Sequence, residues 1–137
     1  MTQNEKQILM IDLCGRLSYG VKCIDITPLE QFQDKNLWEI DRVRADVMEL
    51  GMSNCYVCYG NYVNIHNIKP YLRPMSSMTG VEVLEYLSLK ESITASDDID
   101  YHFETYESID WLNKNHFDYR GLIEKGLAID ATGKNIY

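Results

Sequence analysis

The segment from Lys69 to Thr79, KPYLRPMSSMT, constrains the fold of this chain more than any other. Its two prolines fix φ and cannot donate to a strand ladder, and each disfavours the α conformation for the residue before it. Residues 69–73 are therefore predicted to be extended. Thr79 is followed three residues later by Glu82, which is the spacing of a capping box. A helix is predicted to begin directly after Thr79, so the segment separates a strand-rich part from a mainly helical part.

The residues before the prolines predict one helix and about five short strands. Thr2 and Glu5 form another capping-box pattern, and apolar residues follow at helical spacing, which predicts a helix over residues 4–17. Residues 21–26 are rich in β-branched side chains and predict the first strand, which Thr27 and Pro28 end. A polar connection is predicted over residues 29–36. The further strand candidates are residues 37–43, 46–50, 54–59 and 62–65, with turns at 51–54 and 60–61.

Closely spaced strands with tight turns indicate an antiparallel meander, and the predicted fold class is α+β. We expect an N-terminal helix, a curled antiparallel sheet or small partly open barrel of about five short strands, and then two or more helices. Residues 37–50 allow a second interpretation, because Trp38, Val43 and Val47 could also lie along one face of a helix. The hairpin pattern that follows favours strands.

The residues after the prolines predict two helices and a closing segment. Apolar stripes at helical spacing predict helices over residues 80–90 and 105–115. Residues 92–100 are polar and acidic, and their composition predicts a loop. A turn or short helical piece and then an extended segment that packs on the body are predicted from residue 116 onwards, with residues 131–137 as a loose end.

The length and composition favour one domain over residues 1–137 that stays in the cytoplasm. A chain of this size can bury a core of its own. Its parts are 1–68 (helix and strands), 69–79 (proline-containing connector) and 80–137 (mainly helical). No apolar run is long enough to span a bilayer, and the first residues lack the pattern of a signal peptide. The cysteines include one isolated CxxC, Cys55 to Cys58, so we expect neither metal nor disulfide, and no cofactor is predicted.

The net charge of −8 is concentrated in one segment. Residues 91–110 contain seven acids and no Lys or Arg, which leaves fourteen acids against thirteen bases in the rest of the chain. This distribution argues against general binding to a nucleic-acid backbone. A solvated acidic face is one interpretation of the segment, and docking on a basic protein partner through Asp97, Asp98 and Asp100 is the other. A homo-oligomer is also compatible with the sequence.

Two polar clusters are candidates for binding a small anion such as a nucleotide. The first surrounds the prolines, where Arg73 offers a planar fork of donors beside a tyrosine ring, a lysine and two hydroxyls. The second follows the last helix. Together the candidate ligand-binding residues are Lys69, Tyr71, Arg73, Ser76, Ser77, Tyr119 and Arg120. In the structural interpretation, Arg73 pairs with a carboxylate, while Arg120 neutralises Asp118 or binds carbonyls at the helix end with Gly121 in the left-handed conformation.

No motif in the sequence indicates a particular reaction. There is no HxxxH helix, Gly-x-Ser-x-Gly elbow or P-loop, and His66, His102 and His116 follow no pattern with one another. No catalytic residue is therefore predicted. The leading hypothesis is a non-enzymatic binding protein that takes a protein partner or sequesters a small anionic ligand. The alternative is a small enzyme acting on a nucleotide or modified base, with its site assembled from distant Tyr, Arg and His residues.

Two stretches carry a resemblance to a known set of proteins. They are residues 68–79, IKPYLRPMSSMT, and residues 109–128, IDWLNKNHFDYRGLIEKGLA. With the order of elements before them, they resemble a family of small uncharacterised proteins of Bacteroides-group gut bacteria, their mobile elements and phages. The resemblance implies an accessory role in a phage or prophage.

Overall fold

The computed structural model describes residues 1–26, 38–40, 42–48, 51–58, 62–94 and 100–137. The fold is α+β, as the sequence predicts. Its helices are α1 (Gln3–Arg16), α2 (Gly80–Leu89) and α3 (Tyr106–Lys114). Its strands are β1 (Lys22–Asp25), β2 (Trp38–Glu39), β3 (Arg42–Met48), β4 (Gly51–Cys58), β5 (Tyr62–Asn64), β6 (Ile68–Pro74), β7 (Glu91–Thr94), β8 (Asp100–Phe103), β9 (Phe117–Asp118) and β10 (Ile129–Asp130). No helix in this part of the chain is long and apolar enough to cross a membrane.

The three helices begin where threonine caps are placed in the sequence. Thr2, Thr79 and Thr105 each accept from the amide three residues on, while the side chain at that position bonds back to the cap amide. Each cap satisfies two amides that would otherwise lack a partner at a helix N-terminus. The predicted helices over residues 4–17, 80–90 and 105–115 are confirmed within a residue or two at each end.

The proline-containing segment is a central strand over Ile68–Pro74, which confirms the predicted extension of residues 69–73, and residues 75–79 connect this strand to α2. β6 pairs antiparallel with β1 and parallel with β10 and β9, which makes the sheet mixed, in the order β10-β6-β1-β2. Ala131 N donates to Leu72 O, so by strand alternation the nitrogen of Pro70 faces the β10 edge. The β10 pairing begins one residue later, at Tyr71. The missing amide of Pro70 therefore leaves no ladder partner unsatisfied, and this explains how proline is tolerated inside the sheet.

The predicted division into strands 37–43 and 46–50 is wrong, because Trp38–Glu39 pairs with β1 and Arg42–Met48 is one strand. The predicted antiparallel meander is confirmed for β3, β4 and β5, which form a sheet separate from the mixed one. Its order is β3-β4-β5, and Arg42–Met48 is strand, so the helical interpretation of residues 37–50 is wrong. The predicted turn at residues 51–54 is also wrong, because Gly51 already belongs to β4. Within the described residues the strands do not close into a barrel. The expected turn at 60–61 and the polar connection at 29–36 lie outside the described residues.

The two ends of the acidic stretch predicted as a loop are strands, since residues 92–94 lie in β7 and residue 100 begins β8, while residues 95–99 lie outside the described residues. β7 and β8 pair antiparallel, with Ile93 opposite Tyr101 and Glu91 opposite Phe103. Composition alone does not indicate these strands, because polar and acidic residues alternate there with apolar ones. The antiparallel ladder places the apolar side chains on one face. Asp97 and Asp98, proposed for partner binding, lie outside the described residues, and Asp100 opens β8.

Two groups of buried residues hold the elements together. The larger core joins α1 to the mixed sheet, and its members include Leu9, Leu13, Ile68, Leu72 and Leu122. The smaller core joins α2, α3 and β9 through Tyr86, Leu112 and Phe117. Trp111 lies between two of its rings, with centroid distances of 5.8 Å to Tyr86 and 5.5 Å to Phe117. The segment after α3 therefore borders both cores.

Candidate functional site

A buried ion pair holds the segment after α3 against α1. Asp12 and Arg16 are one helical turn apart and are both fully buried, with bonds of 2.7 and 2.9 Å between them. Arg16 also donates a 2.7 Å bond to the carbonyl of Phe117. A buried guanidinium is tolerated only when its charge is paired, and here the pair also fixes the backbone of β9.

His116 directly precedes this anchored strand in the left-handed conformation, with φ of 59°. His116 is only 6% exposed, and its ring donates a hydrogen bond to the backbone of Tyr19. Burial, together with the positive charge of Arg16, lowers the pKa of His116 to about 4. The ring is thus neutral at pH 7. No described residue bonds to its buried Nδ1.

Tyr137 covers His116 and joins two strands. The two rings are stacked with a centroid distance of 3.7 Å and an angle of 10°. The hydroxyl of Tyr137 accepts from Lys22 N at 2.9 Å and donates to Tyr71 O at 2.8 Å. Lys22 and Tyr71 are the next pair in the β1–β6 register after Cys23 and Pro70. The phenol therefore bridges the two strands, and the prediction that residues 131–137 form a loose end is wrong.

Arg73 is held by an ion pair with Glu82, which lies in the first turn of α2. The guanidinium makes two bonds to the carboxylate, of 2.8 and 2.9 Å, and lies 4.2 Å from the centre of the Phe117 ring. The hydrogen bonds from Arg73 lower the pKa of Glu82 to about 2. The structural interpretation of Arg73, pairing with a carboxylate, is thus observed.

Arg73, His116 and Tyr137 border an open cavity of about 530 Å³, a volume typical of small-molecule sites. The lining residues come from β6, the end of α3 and the last stretch of the chain. They are Arg73, Ser77, Lys114, Asn115, His116, Ala131, Thr132, Gly133, Asn135, Ile136 and Tyr137. Among these described residues there is no Asp or Glu, although acids outnumber bases by 21 to 13 in the chain. The cavity therefore differs in charge from the rest of the molecule.

Comparisons with protein-family models, curated proteins and solved structures found no match.

The structure brings only two of the predicted ligand-binding residues, Arg73 and Ser77, to this cavity. Lys69 and Tyr71 lie on β6 and Ser76 lies in the 3₁₀ turn after it, yet none of the three lines the cavity. Tyr71 contributes its carbonyl to Tyr137.

Tyr119 and Arg120 lie on the α1 side of the segment and also do not line the cavity. The Arg120 guanidinium lies 3.4 Å from Asp12 and 4.8 Å from the Tyr119 ring centre, so it extends the buried ion pair. Asp118 instead accepts from the amides of Leu122 and Ile123, and Gly121 has φ of 68° as the structural interpretation predicts. Arg73 and Arg120 each pair with a carboxylate of their own, Glu82 and Asp12, and of the two only Arg73 lines the cavity.

Sequence reasoning missed most of the cavity wall, including Lys114, His116 and Tyr137. One signal was present: Asn and Gly, which adopt positive φ most readily, occur at Gly133 and Asn135, where φ is 70° and 53°. These positions indicate a tight bend that returns the chain to the body. Among the described residues, no group of three or more His, Cys, Asp or Glu side chains is arranged to hold a metal ion.

Proposed function

We propose that this protein is a binding module that holds a nucleotide-like ligand, a small anion carrying a flat ring, in the cavity beside Tyr137. The observation that carries the proposal is the lining of the cavity, which has two cationic side chains, Arg73 and Lys114, and an aromatic ring, with no Asp or Glu side chain among its described lining residues. In a chain of net charge −8 such a lining favours a negatively charged ligand.

The two cations differ in their freedom to meet the ligand. Arg73 is fixed by Glu82, which neutralises much of its charge and leaves it chiefly a shaped wall. Lys114 lies in the last turn of α3 with an exposed side chain, and no described carboxylate pairs with it. Lys114 therefore supplies the charge for an anionic group, and a flexible ammonium suits a phosphate without demanding one geometry.

The flat part of the ligand is assigned to the ring of Tyr137. His116 supports one face of that ring, and the two backbone bonds of the hydroxyl fix its plane. Tyr137 remains 45% exposed and lines the cavity. An aromatic ring that is already ordered loses little entropy when a base stacks on it. Such stacking contributes about 1–3 kcal/mol per base to binding.

The hydroxyl groups near the cavity are already used in hydrogen bonds to the backbone, which favours binding over catalysis. The Ser77 hydroxyl donates to Pro74 O at 2.7 Å, and the Tyr137 hydroxyl is used twice by the backbone. His116 is neutral and its Nδ1 is buried behind the tyrosine ring. The proposal extends to the accessory role in a phage or mobile element that the resemblance implies, and to the cytoplasmic location expected from the sequence.

Titration calorimetry with ADP and with adenosine tests the proposal. We expect wild-type protein to bind ADP, and Lys114→Ala to weaken ADP about tenfold while leaving adenosine unchanged, because a charge-assisted hydrogen bond is lost. Lys125→Ala is the matched control, since it removes an equal charge from an exposed residue that does not line the cavity. Tyr137→Ala should weaken both ligands. Failure of wild type to bind ADP, or equal losses in Lys114→Ala and Lys125→Ala, would refute the proposal.

A further inference from the structure

The exposed apolar side chains of the described residues are concentrated on α2 and the elements that follow it. Leu84 is 70% exposed and Val81 is 68% exposed, values far above those of a packed helix face. The full group, which we term the α2–hairpin surface, is Val81, Val83, Leu84, Leu87, Ile93, Tyr101, Phe103 and Tyr106. Single exposed apolar residues need no explanation, whereas eight on consecutive elements mark an interaction site.

The helix α2 is held to the body without using most of its apolar side chains. Tyr86 is its one buried residue, and its ring packs against Trp111. Two polar contacts also attach the helix: the ion pair between Arg73 and Glu82, and the contact of the Tyr86 hydroxyl with Glu104. The valines and leucines are therefore available to another molecule without rearrangement of the helix.

The hairpin presents its apolar side chains on one face. Ile93 pairs with Tyr101 across the ladder, and Phe103 lies two residues beyond Tyr101 on the same face. Two polar contacts fix the base of the hairpin against α2, a 3.0 Å ion pair between Lys90 and Glu104 and a 2.6 Å bond from Thr105 to Leu89 O. The aromatic rings are thus presented from a fixed base, as binding hot spots require.

The charge around these side chains has one sign. Residues 91–110 carry seven acids and no Lys or Arg, and α2 adds Glu85 on its exposed surface. Lys90 is the one Lys or Arg from residue 80 to residue 110, and its ammonium is already paired with Glu104. Glu85, Glu91 and Glu107 are exposed on these elements, so an occupant of the surface meets carboxylates there.

From this combination we infer that the α2–hairpin surface docks a basic amphipathic segment of a partner protein, with apolar side chains on one face and Lys or Arg on its flanks. Apolar contacts would supply affinity, and the acidic edges would steer association and select against acidic competitors. A second copy of this chain fits poorly, because it would bring two acidic segments together. An anionic membrane is disfavoured for the same reason.

The probe for the test is a fluorescein-labelled amphipathic peptide with leucines on one helical face and lysines on the other. We expect fluorescence anisotropy to report binding to the wild-type chain, and the double variant Val81→Ser, Leu84→Ser to weaken it about tenfold. Ile11→Ser is the matched control, because Ile11 is 46% exposed on α1, outside the surface. Glu85→Gln with Glu91→Gln should weaken binding more than Glu5→Gln with Glu124→Gln, which removes equal charge elsewhere.

Three outcomes would overturn the inference. The first is equal binding of a control peptide in which glutamates replace the lysines. The second is equal loss in the surface variant and in Ile11→Ser, since the apolar side chains of the surface would then make no specific contribution to binding. The third is self-association of the wild type in sedimentation that the surface variant abolishes, which would assign the surface to a second copy of the chain. None of these measurements depends on the cavity or on ADP.

Discussion

The region around α1, β6 and the last stretch of the chain differs from the region of α2 and the β7–β8 hairpin in where its apolar side chains lie. In the first region Leu9, Leu13 and Leu72 are fully buried, and even the charged pair of Asp12 and Arg16 is removed from solvent. In the second, most apolar side chains are exposed and the elements are positioned by caps and ion pairs. Packing of buried side chains therefore stabilises the first region, whereas the second region keeps most of its apolar side chains in contact with solvent.

Removing the buried charge of Asp12 should have the largest effect on this comparison. Asp12→Ala leaves Arg16 buried without its carboxylate and also removes the ion pair to Arg120, so we expect a loss of about 3–5 kcal/mol in the free energy of unfolding. Urea denaturation provides the measurement. Glu124→Ala, at an exposed carboxylate, should change it by less than about 0.5 kcal/mol. Equal effects of the two substitutions would mean that the first region does not depend on its buried pair.

Acid should destabilise the first region through His116. In the unfolded chain the histidine takes up a proton near its usual pKa of 6.5, whereas in the folded protein its pKa is about 4. The unfolded state therefore binds more protons between these values, and stability falls as the pH drops through this window, by about 3 kcal/mol in all. Below it, protonation of Glu82 removes further stability as the pH falls from 4.5 towards 2.

The variant His116→Asn isolates that contribution, since asparagine tolerates positive φ and does not titrate. Urea denaturation at pH 7, 5.5 and 4.5 should show a flatter dependence for His116→Asn than for the wild type. The same substitution at the exposed His102 is the control for replacing a histidine by asparagine. If the wild type and His116→Asn lose stability in parallel, the burial of the imidazole is not the cause.

The smallest effect is expected on the outer face of α2. Leu84→Ala removes a side chain that is already 70% exposed and introduces a better helix former, so the free energy of unfolding should change by less than about 0.5 kcal/mol. Leu13→Ala, at a fully buried leucine in α1, should cost about 2–5 kcal/mol. A large loss in Leu84→Ala would show that α2 is stabilised by that face, and the contrast between the regions would disappear.

Local signals in the sequence were enough to predict the helices and the meander. The capping boxes at Thr2 and Thr79 work through hydrogen bonds between residues three positions apart, so they are visible without knowledge of the fold. The role of β6 was not visible, because proline excludes a strand only where its missing amide would face a partner, and pairing decides that. The β7–β8 hairpin was missed because the pairs that define it, such as Ile93 with Tyr101, join residues on different strands.

The candidate site was predicted in part for the same reason. Arg73 and Ser77 belong to one short polar segment that the sequence singles out, and both reach the cavity. Lys114, His116 and Tyr137 are distant from that segment in sequence and meet it only through the parallel pairing of β9 and β10 with β6. Exposure of an apolar helix face is likewise a property of packing, so the apolar stripe that predicts a helix over residues 80–90 does not show that Leu84 stays exposed.

The bridge made by the Tyr137 hydroxyl has a consequence for the speed of folding. It joins Lys22 to a residue 115 positions away, and β6 receives partners from both ends of the chain. Such contacts require closure of long loops before they contribute stability, and topologies rich in them fold on timescales of about milliseconds to seconds. The helices can form early from their local caps, whereas completion of the central sheet must await the arrival of the most distant residues.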